Sequence, residues 1–322
     1  MQLIEAVPNI SEGQDTALLN TLADILRAAD GVKLLGMDAN PSANRTVYTL
    51  LGSPQDVTKA LFDFIRQATN LIDMRQQQGK HPRLGTVDVC PLVPLQNISL
   101  QETAQWAQKL GKQVAEQLDI PVYLYEAAAQ RDSCRNLANI RQGEYENLAQ
   151  KLQILPPDFG TAQFSAHTAK TGACIIGARD ILIAFNINLN TTDQRLAKSI
   201  AAKIRQSGGG LEGVKAIGWY MDNFKRVQVS CNITDFHRAP LPLVFETCKK
   251  EAAELGTKAT GCELVGLVPL EAMLTAGKYY APTQTNPRTL IQAAIKGLNL
   301  TEVKPFYPDE QILEIKAGLT TL

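Results

Sequence analysis

The sequence predicts a mixed α/β (α+β) protein built from two consecutive α/β subdomains, the second of them ferredoxin-like. Its 322 residues are enough for two units of about 150 residues each. In the first half, short apolar segments typical of strands alternate with segments of helical periodicity. From about residue 178 the order becomes strand, helix, strand, strand, helix, strand, which is the split ferredoxin-like arrangement. We therefore predict subdomains over residues 1–177 and 178–322.

The first subdomain is predicted to contain strands at residues 2–7, 32–37, 46–51, 87–95 and 121–125, with helices at 15–29, 54–73, 99–118 and 133–152, the last of them interrupted at Gly143. Ser99 and Glu102 stand close to a capping box, which marks the start of the third helix. Pro91 and Pro94 predict that the fourth strand is short or lies at a sheet edge, because proline has no N–H to give a neighbouring strand.

The second subdomain is predicted to contain strands at residues 181–189, 214–221, 226–232 and 262–268, with helices at 193–206, 241–255, 270–276 and 288–296. Residues 208–213 match the letters of a dinucleotide-binding fingerprint, but they follow a helix and precede a strand. This context predicts a surface turn instead. The chain also lacks a Walker-type phosphate loop, so nothing favours nucleotide binding.

Composition indicates an ordinary globular protein, with 45% hydrophobic and 20% charged residues. Thirty-two basic and 32 acidic side chains cancel, so no overall field attracts nucleic acid or an anionic membrane. The chain has neither a signal-peptide pattern nor a run of 18 apolar residues. The six cysteines show no metal-site spacing, so we expect reduced thiols and no metal. A cytoplasmic protein with small-molecule partners is the expectation.

A loop histidine is the first candidate for catalysis. His81, one of three histidines, stands between Gly79 and Pro82, which shape the backbone to present a side chain rather than to continue a helix. Many loop residues are functional, and imidazole moves protons near neutral pH. The alternative is a histidine that only satisfies local hydrogen bonds. His167 and His237 have weaker contexts for catalysis.

Several charged residues are candidates for binding or for orienting the histidine. Asp38 ends an apolar strand, where its carboxylate can orient a histidine, bind a cation or only cap the turn. Three arginines can clamp a carboxylate with two parallel hydrogen bonds, although most arginines are solvated surface groups: Arg45, Arg83 and Arg179. Phe159 and Phe164 can stack on a flat ligand or simply pin the segment that carries them.

Sequence segments across almost the whole chain resemble the glutamate formiminotransferase family. They include VPNISEG at residues 7–13, NRTVYT at 44–49, LIDM at 71–74, HPR at 81–83, PVYLY at 121–125, GEYE at 143–146, PDFG at 157–160, LIAFNINL at 182–189, AIGWY at 216–220 and LVGLVPL at 264–270. The matches occur in order up to about residue 275. Such length makes the resemblance far more specific than any single motif.

The resemblance implies transfer of a formimino group from N-formimino-L-glutamate to tetrahydrofolate, as in histidine degradation, giving 5-formiminotetrahydrofolate and L-glutamate. It implies a substrate groove enclosed by the two subdomains, His81 as the proton shuttle, Asp38 as its acidic partner, and a homodimer. Tetrahydrofolate acts there as co-substrate. The implied folate-binding segment consists of Gly160, Thr161, Ala162, Gln163, Phe164, Ser165, Ala166, His167, Thr168, Ala169, Lys170, Thr171 and Gly172.

The chain departs from the family within this folate segment. Relatives usually carry a loop with Pro and Trp where residues 165–170 read SAHTAK. The animal enzymes continue into a cyclodeaminase domain, and this chain ends before one could begin, so we expect it to release its product. Two alternatives stay open: a folate-dependent formyltransferase that uses N-formylglutamate or 5-formyltetrahydrofolate, and a folate-binding protein without catalytic activity.

Overall fold

The computed structural model describes residues 1–79, 81–221 and 225–321, so Lys80 beside the candidate histidine lies outside the described residues. The chain divides into two compact units, Met1–Asp180 and Ile181–Leu322. Each is a mixed α/β structure with its own sheet, as the predicted fold class requires. Among the described residues, no helix is both long enough and apolar enough to cross a membrane.

The first unit is built on a seven-stranded sheet. Its strands are β1 (Leu3–Ala6), β2 (Asn9–Ile10), β3 (Val32–Asn40), β4 (Arg45–Gly52), β5 (Val87–Gln96), β6 (Val122–Glu126) and β7 (Cys174–Ala178). They lie in the order β1-β4-β2-β5-β7-β6, with β3 on the free side of β4, and β1 also pairs with β5. The pairs that β7 makes with β5 and β6 are parallel.

The three long helices of the first unit cover one face of this sheet, and we call this face the helical face. The helices of the first unit are α1 (Thr16–Arg27), α2 (Pro54–Leu71), α3 (Leu100–Leu118), α4 (Asp132–Arg135), α5 (Leu137–Arg141), α6 (Leu148–Ile154) and α7 (Ala166–Thr171). Side chains of α1, α2 and α3 pack with strand residues such as Tyr48, Cys90 and Ile176 in one buried cluster. A smaller cluster from α4, α5 and α6 covers Val89 and Tyr123 on the opposite face.

The predicted edge position of β5 is wrong, because this strand pairs with β1 and β2 on one side and with β7 on the other. Its prolines are tolerated where pairing is incomplete. Pro91 faces the break between β1 and β2, where its carbonyl accepts from the Val7 N–H at 3.0 Å. The Val7 carbonyl accepts from Asn9 Nδ2 at 2.7 Å instead of from a backbone N–H. Pro94 lies beyond the part of β5 that pairs with β7.

Two other predictions for this unit are corrected. The helix expected over residues 133–152 is interrupted at Gly143 as predicted, but it is divided further, into α4, α5, a short 3₁₀ helix (Tyr145–Asn147) and α6. Extended backbone at Asn136 and positive φ at Gly143 and Glu144 interrupt the helical hydrogen bonds. Strand β7 was not predicted, because a short, uniformly apolar segment lacks the alternation of a half-buried strand.

The second unit has the predicted order of strand, helix, strand, strand, helix, strand, followed by helices. Its strands are β8 (Ile183–Leu189), β9 (Val214–Met221), β10 (Arg226–Ile233) and β11 (Ala259–Val265), in the antiparallel order β11-β8-β10-β9. Its helices are α8 (Gln194–Ile204), α9 (Leu241–Glu254), α10 (Leu270–Tyr280), α11 (Pro287–Gly297), α12 (Pro308–Gln311) and α13 (Leu313–Ala317). They form one continuous core with the strands. All six cysteines of the chain are buried free thiols.

Candidate functional site

A β-bulge in β5 turns Asp88 out of the helical face. Asn9 pairs with Val89 while Ile10 pairs with Val87, so Asp88 is the extra residue between the two pairs. Val87 packs in the helical-face cluster and Val89 in the cluster on the opposite face. Without the bulge these two residues would share a face, because side chains alternate along a strand. The bulge therefore delivers a carboxylate to the face away from α1, α2 and α3.

Asp88 is fully buried and forms ion pairs with two arginines. Its Oδ2 accepts from Arg45 Nη1 at 2.7 Å and from Arg141 Nη2 at 2.5 Å, and its Oδ1 accepts from the Leu84 N–H at 2.8 Å. Arg45 also donates from Nε to Asn9 Oδ1 at 2.9 Å. The two guanidinium groups hold the pKa of the Asp88 carboxyl at about 2, although burial opposes this shift. We call Asp88, Arg45 and Arg141 the charge cluster; it carries one net positive charge.

His81 lies beside the charge cluster, where protein atoms surround most of its imidazole although part of the residue stays exposed. Its Nδ1 is 2.8 Å from the Pro82 carbonyl oxygen. Since a carbonyl only accepts, Nδ1 carries the proton, and in the neutral ring Nε2 has a free lone pair. Burial first, and then the positive charges of Arg45 and Arg141, lower the pKa of His81 to about 3. The imidazole is therefore neutral at physiological pH.

The loop that carries His81 is fixed by the residue two positions further along the chain. Arg83 is 7% exposed and donates from Nη2 to Glu146 Oε1 at 2.6 Å and to the Gln77 carbonyl at 2.8 Å. Its own carbonyl accepts from the Tyr145 N–H at 2.9 Å. Arg83 thus ties the loop both to the segment before it and to the 3₁₀ helix.

The turn between β3 and β4 lies against the segment that precedes His81. Asn44 donates from Nδ2 to Gln77 Oε1 and to the Gln78 carbonyl, both at 2.7 Å. Gly79 approaches this turn so closely that a Cβ would lie 2.3 Å from the Ala43 carbonyl oxygen. Any larger residue would push the two segments apart.

Asp38 belongs to the same hairpin as this turn, in β3 opposite Val47 of β4. Cross-strand partners share a face of the sheet, and so do residues two apart on one strand. Asp38 therefore lies on the same face as Arg45 and Asn9, the face that also carries the charge cluster. The structure thus brings three predicted residues, His81, Asp38 and Arg45, to one side of the sheet.

The predicted folate segment meets the histidine loop at two glycines. Gly85 forms a backbone bridge with Gly172, and the Thr86 N–H donates to the Thr171 carbonyl at 2.8 Å. A Cβ on Gly172 would lie 2.3 Å from the Gly85 Cα, and Gly172 has a φ of 67°. Glycine at both positions permits this contact. The C-terminal end of the folate segment is therefore anchored beside the loop of His81.

The folate segment is only partly a loop. Residues 166–171 form α7, which Ser165 caps through its Oγ and which buries Thr168 and Thr171. His167 Nε2 contacts the Leu118 carbonyl oxygen at 2.9 Å, so this side chain anchors α7. The exposed side chains of the segment lie between residues 163 and 167.

The two aromatic candidates differ in their surroundings. Phe159 packs against the helical-face cluster, and its carbonyl accepts from the Val122 N–H at 2.9 Å. Asp158 in the same motif accepts from the Leu124 N–H at 2.8 Å, so this motif fastens the chain to β6. Phe164 is 42% exposed, and it is the one of the two that can stack on a flat ligand.

Arg179 follows β7 and stays partly exposed. Its Nη1 donates to the Asp180 carbonyl at 2.8 Å. Within the described ranges, no carboxylate lies in ion-pair distance of its guanidinium, unlike those of Arg45 and Arg83. Its fork can therefore accept an external carboxylate without losing an internal one.

Sequence reasoning missed Asp88, Arg141 and Asn9. A carboxylate inside the apolar segment 87–95 was the available signal for Asp88, since a charge there needs a buried partner. Arg141 gives no such signal, because an arginine on a short helix is usually a solvated surface group. Among the described residues, no group of three His, Cys, Asp or Glu side chains is arranged to hold a metal ion.

Comparisons with known proteins match both parts of the chain. Residues 3–179 match the N-terminal subdomain of the formiminotransferase domain, and residues 184–317 match the formiminotransferase domain itself. Glutamate formimidoyltransferase of Thermoplasma acidophilum is 41% identical over 87% of this chain and 92% of its own length. The enzyme of that name from Streptococcus pyogenes is 37% identical over 87% of this chain and 93% of its own length.

Longer relatives match as well. Formimidoyltransferase-cyclodeaminase of Rattus norvegicus is 41% identical over 97% of this chain, which spans 59% of the length of the rat protein. The matched segments run through the histidine loop, the charge cluster and the folate segment. The chain belongs to the formiminotransferase domain family.

Proposed function

We propose that this chain transfers the formimino group of N-formimino-L-glutamate to tetrahydrofolate, giving 5-formiminotetrahydrofolate and L-glutamate. The relatives named glutamate formimidoyltransferase support the reaction class. One structural observation supports the catalytic role best: His81 is a neutral imidazole whose Nδ1 is bound to the Pro82 carbonyl, which leaves Nε2 free to accept a proton.

The proposed mechanism passes through a tetrahedral intermediate. The ring nitrogen of tetrahydrofolate attacks the formimino carbon and becomes positively charged. His81 Nε2 takes the proton from this nitrogen and returns it to the nitrogen of the departing glutamate, whose bond to carbon then breaks. No covalent intermediate with the enzyme is needed, since both substrates are held together.

A low pKa of His81 suits this pair of proton transfers. The incoming nitrogen is a weak base, so its protonated form in the intermediate is acidic enough to give its proton to a weakly basic imidazole. The departing amine is a stronger base than the imidazole, with a pKa of about 8 for an ordinary α-amino group. The transfer from the imidazolium to the departing amine therefore runs downhill.

The candidate substrate ligands differ in how available they are. Arg179 is our first choice for a glutamate carboxylate, because its described partners, the Asp180 carbonyl and the Tyr125 side chain, are not carboxylates. Arg83 is the second choice, since its partner Glu146 is 58% exposed on its side chain and can be displaced. Arg45 has a fully buried partner in Asp88, so its role as a substrate ligand is the least favoured of the three. Asp38 is proposed to balance the charge of the formimino group.

The exposed residues of the folate segment are proposed to contact tetrahydrofolate, with Phe164 stacking on the flat pterin ring. This proposal rests on the resemblance and on the anchoring of Gly172 beside the histidine loop. A substrate groove enclosed by the two subdomains, and the subdomain limits 1–177 and 178–322, stay predictions, as do the homodimer and the cytoplasmic location.

The test is a comparison of donors with the purified chain. Turnover with tetrahydrofolate and N-formimino-L-glutamate is measured beside turnover with N-formylglutamate at matched concentrations. We expect the formimino donor to react faster. A faster reaction with the formyl donor would replace the proposal by formyl transfer, and tight folate binding without turnover of either donor would favour a binding protein.

A further inference from the structure

The strongest feature that the proposed reaction does not use is the charge cluster. Asp88 is completely buried, yet it stands in an apolar strand and carries a negative charge. A buried carboxylate with two guanidinium partners is expensive to desolvate, and apolar residues often stabilise a core as well. Such a cluster therefore needs a reason other than stability.

The position of the charge cluster beside the histidine loop indicates what this reason is. The Asp88 carboxylate accepts a hydrogen bond from the N–H of Leu84. Leu84 lies three residues after His81, so this bond fixes the C-terminal end of the histidine loop. Arg45 reaches the cluster from β4 and Arg141 from α5, so three separate elements converge on the loop. Asn9 holds Arg45 from a fourth element, β2.

We infer that Asp88, bridged by Arg45 and Arg141, is the positioning residue of the candidate catalytic histidine: the cluster anchors the histidine loop and surrounds His81 with one net positive charge. This inference deepens the proposed function, since it concerns the same histidine. It gives Arg45 an internal role in place of a substrate contact.

Each member has a definite electrostatic effect on His81. The described charged groups that act on the imidazole are Arg45, Arg141 and Asp88. Both arginines lower the pKa of His81 and Asp88 raises it, after burial, which has the largest effect. Removing Arg141 should therefore raise the pKa of His81, and removing the charge of Asp88 should lower it. These two shifts report the electrostatic field of the cluster at His81, and a cluster too far away to act on the imidazole would produce neither of them.

The experiment is a histidine NMR titration, because the chain has only three histidines. The ring nitrogens of ¹⁵N-histidine-labelled protein are followed from about pH 8 to pH 4, and the His81 signal is assigned by its loss in His81→Gln. In the wild type, His81 should stay neutral over this range, with the proton on Nδ1. The same titration is repeated for Arg141→Gln, Arg141→Lys and Asp88→Asn.

Arg141→Gln should raise the pKa of His81 by about one unit or more, so that the ring is partly protonated at pH 4, where the wild type is still largely neutral. Arg141→Lys keeps the charge and should restore most of the wild-type behaviour. Asp88→Asn should leave His81 neutral throughout the range, because loss of the negative charge lowers the pKa further. Equal midpoints in Arg141→Gln and Arg141→Lys, or no shift in Arg141→Gln, would overturn the inference.

The NMR titration needs no turnover, so its outcome is separate from the proposed reaction. If the chain transfers no formimino group but His81 shifts as stated, the positioning role stands and the proposed function fails. In an active enzyme, the acidic limb of kcat/KM should move to higher pH in Arg141→Gln by the same amount as the NMR midpoint. An unchanged limb would contradict the positioning role in catalysis.

Discussion

At the scale of single residues, Gly172 joins the folate segment to the histidine loop. Its φ of 67° and ψ of −156° belong to a backbone region that residues with a Cβ rarely enter. The same position lies against the Gly85 backbone. Two independent costs, backbone strain and a steric clash, therefore oppose any larger side chain.

Gly172→Ala should lower the free energy of unfolding of the first unit by more than about 3 kcal/mol. Gly256→Ala is the matched control, because Gly256 has a similar φ of 72° and open space around it. It should cost only about 1–2 kcal/mol. Urea unfolding is followed by tryptophan fluorescence. Trp106 reports the first unit in a Trp219→Phe background, and Trp219 reports the second unit in a Trp106→Phe background. Equal losses would show that the close contact between the glycines has no energetic weight.

Some residues of the candidate site could be predicted from the sequence and others could not. His81 could be found because Gly79 and Pro82 shape its loop. Asp88 was missed because a bulge determines which face it reaches, and the bulge follows from the break between β1 and β2. Arg83 is a predicted substrate ligand, and its contact with Glu146 could not be foreseen, because it joins residues 63 apart in sequence.

At the scale of elements, three described helices begin with a serine cap, and two of them, α3 and α7, differ greatly in length. Ser99 caps the 19-residue α3 in a capping box with Glu102, and Ser165 caps the six-residue α7 in the folate segment. A short helix has few other interactions to hold its first turn. Loss of the cap should therefore affect these two helices in different ways.

Ser99→Ala should lower the free energy of unfolding of the first unit by about 1 kcal/mol and leave folate binding unchanged. Ser165→Ala should fray α7 instead and weaken tetrahydrofolate binding by about fivefold, the equivalent of about 1 kcal/mol. Urea unfolding and folate titration of both proteins provide the measurements. If Ser165→Ala binds folate like the wild type, the start of α7 takes no part in the folate site.

The elements themselves were largely predictable from the sequence. The capping box and the apolar face of α3 gave its limits, and the strand and helix order of the second unit was read from periodicity. The central position of β5 was not predictable, because the side chain of Asn9 satisfies the Val7 carbonyl opposite Pro91. The contact between the Val7 N–H and the Pro91 carbonyl joins residues far apart in sequence, which local sequence rules do not include.

At the scale of the whole molecule, stability should depend on pH through His81. Its pKa is about 3 in the folded protein and about 6.5 in the unfolded chain. Between these values the unfolded chain binds a proton that the native protein does not, so stability falls as the pH drops from about 6.5. Asp88, with a folded pKa of about 2, adds its own loss only below its unfolded pKa of about 3.9.

A comparison with His81→Gln isolates the histidine from other groups that titrate between pH 6.5 and 4, such as Glu102, whose pKa is lowered in the folded protein by its hydrogen bonds with Ser99. The free energy of unfolding of the first unit should fall more between pH 7 and pH 5 in the wild type than in His81→Gln. Urea unfolding monitored by Trp106, in a Trp219→Phe background, gives this difference. Identical pH dependence of the two proteins would mean that His81 titrates normally in the native state.

In the proposed mechanism, His81 carries the proton in formimino transfer. The most direct measurement is the single-turnover rate of His81→Gln with N-formimino-L-glutamate and tetrahydrofolate, beside the wild type. His237→Gln is the matched control, because His237 is exposed and lies in the other unit. We expect His81→Gln to be at least about 100-fold slower, with unchanged folate affinity and circular dichroism, and His237→Gln to match the wild type. A His81→Gln protein that keeps the wild-type rate would rule out proton transfer by His81.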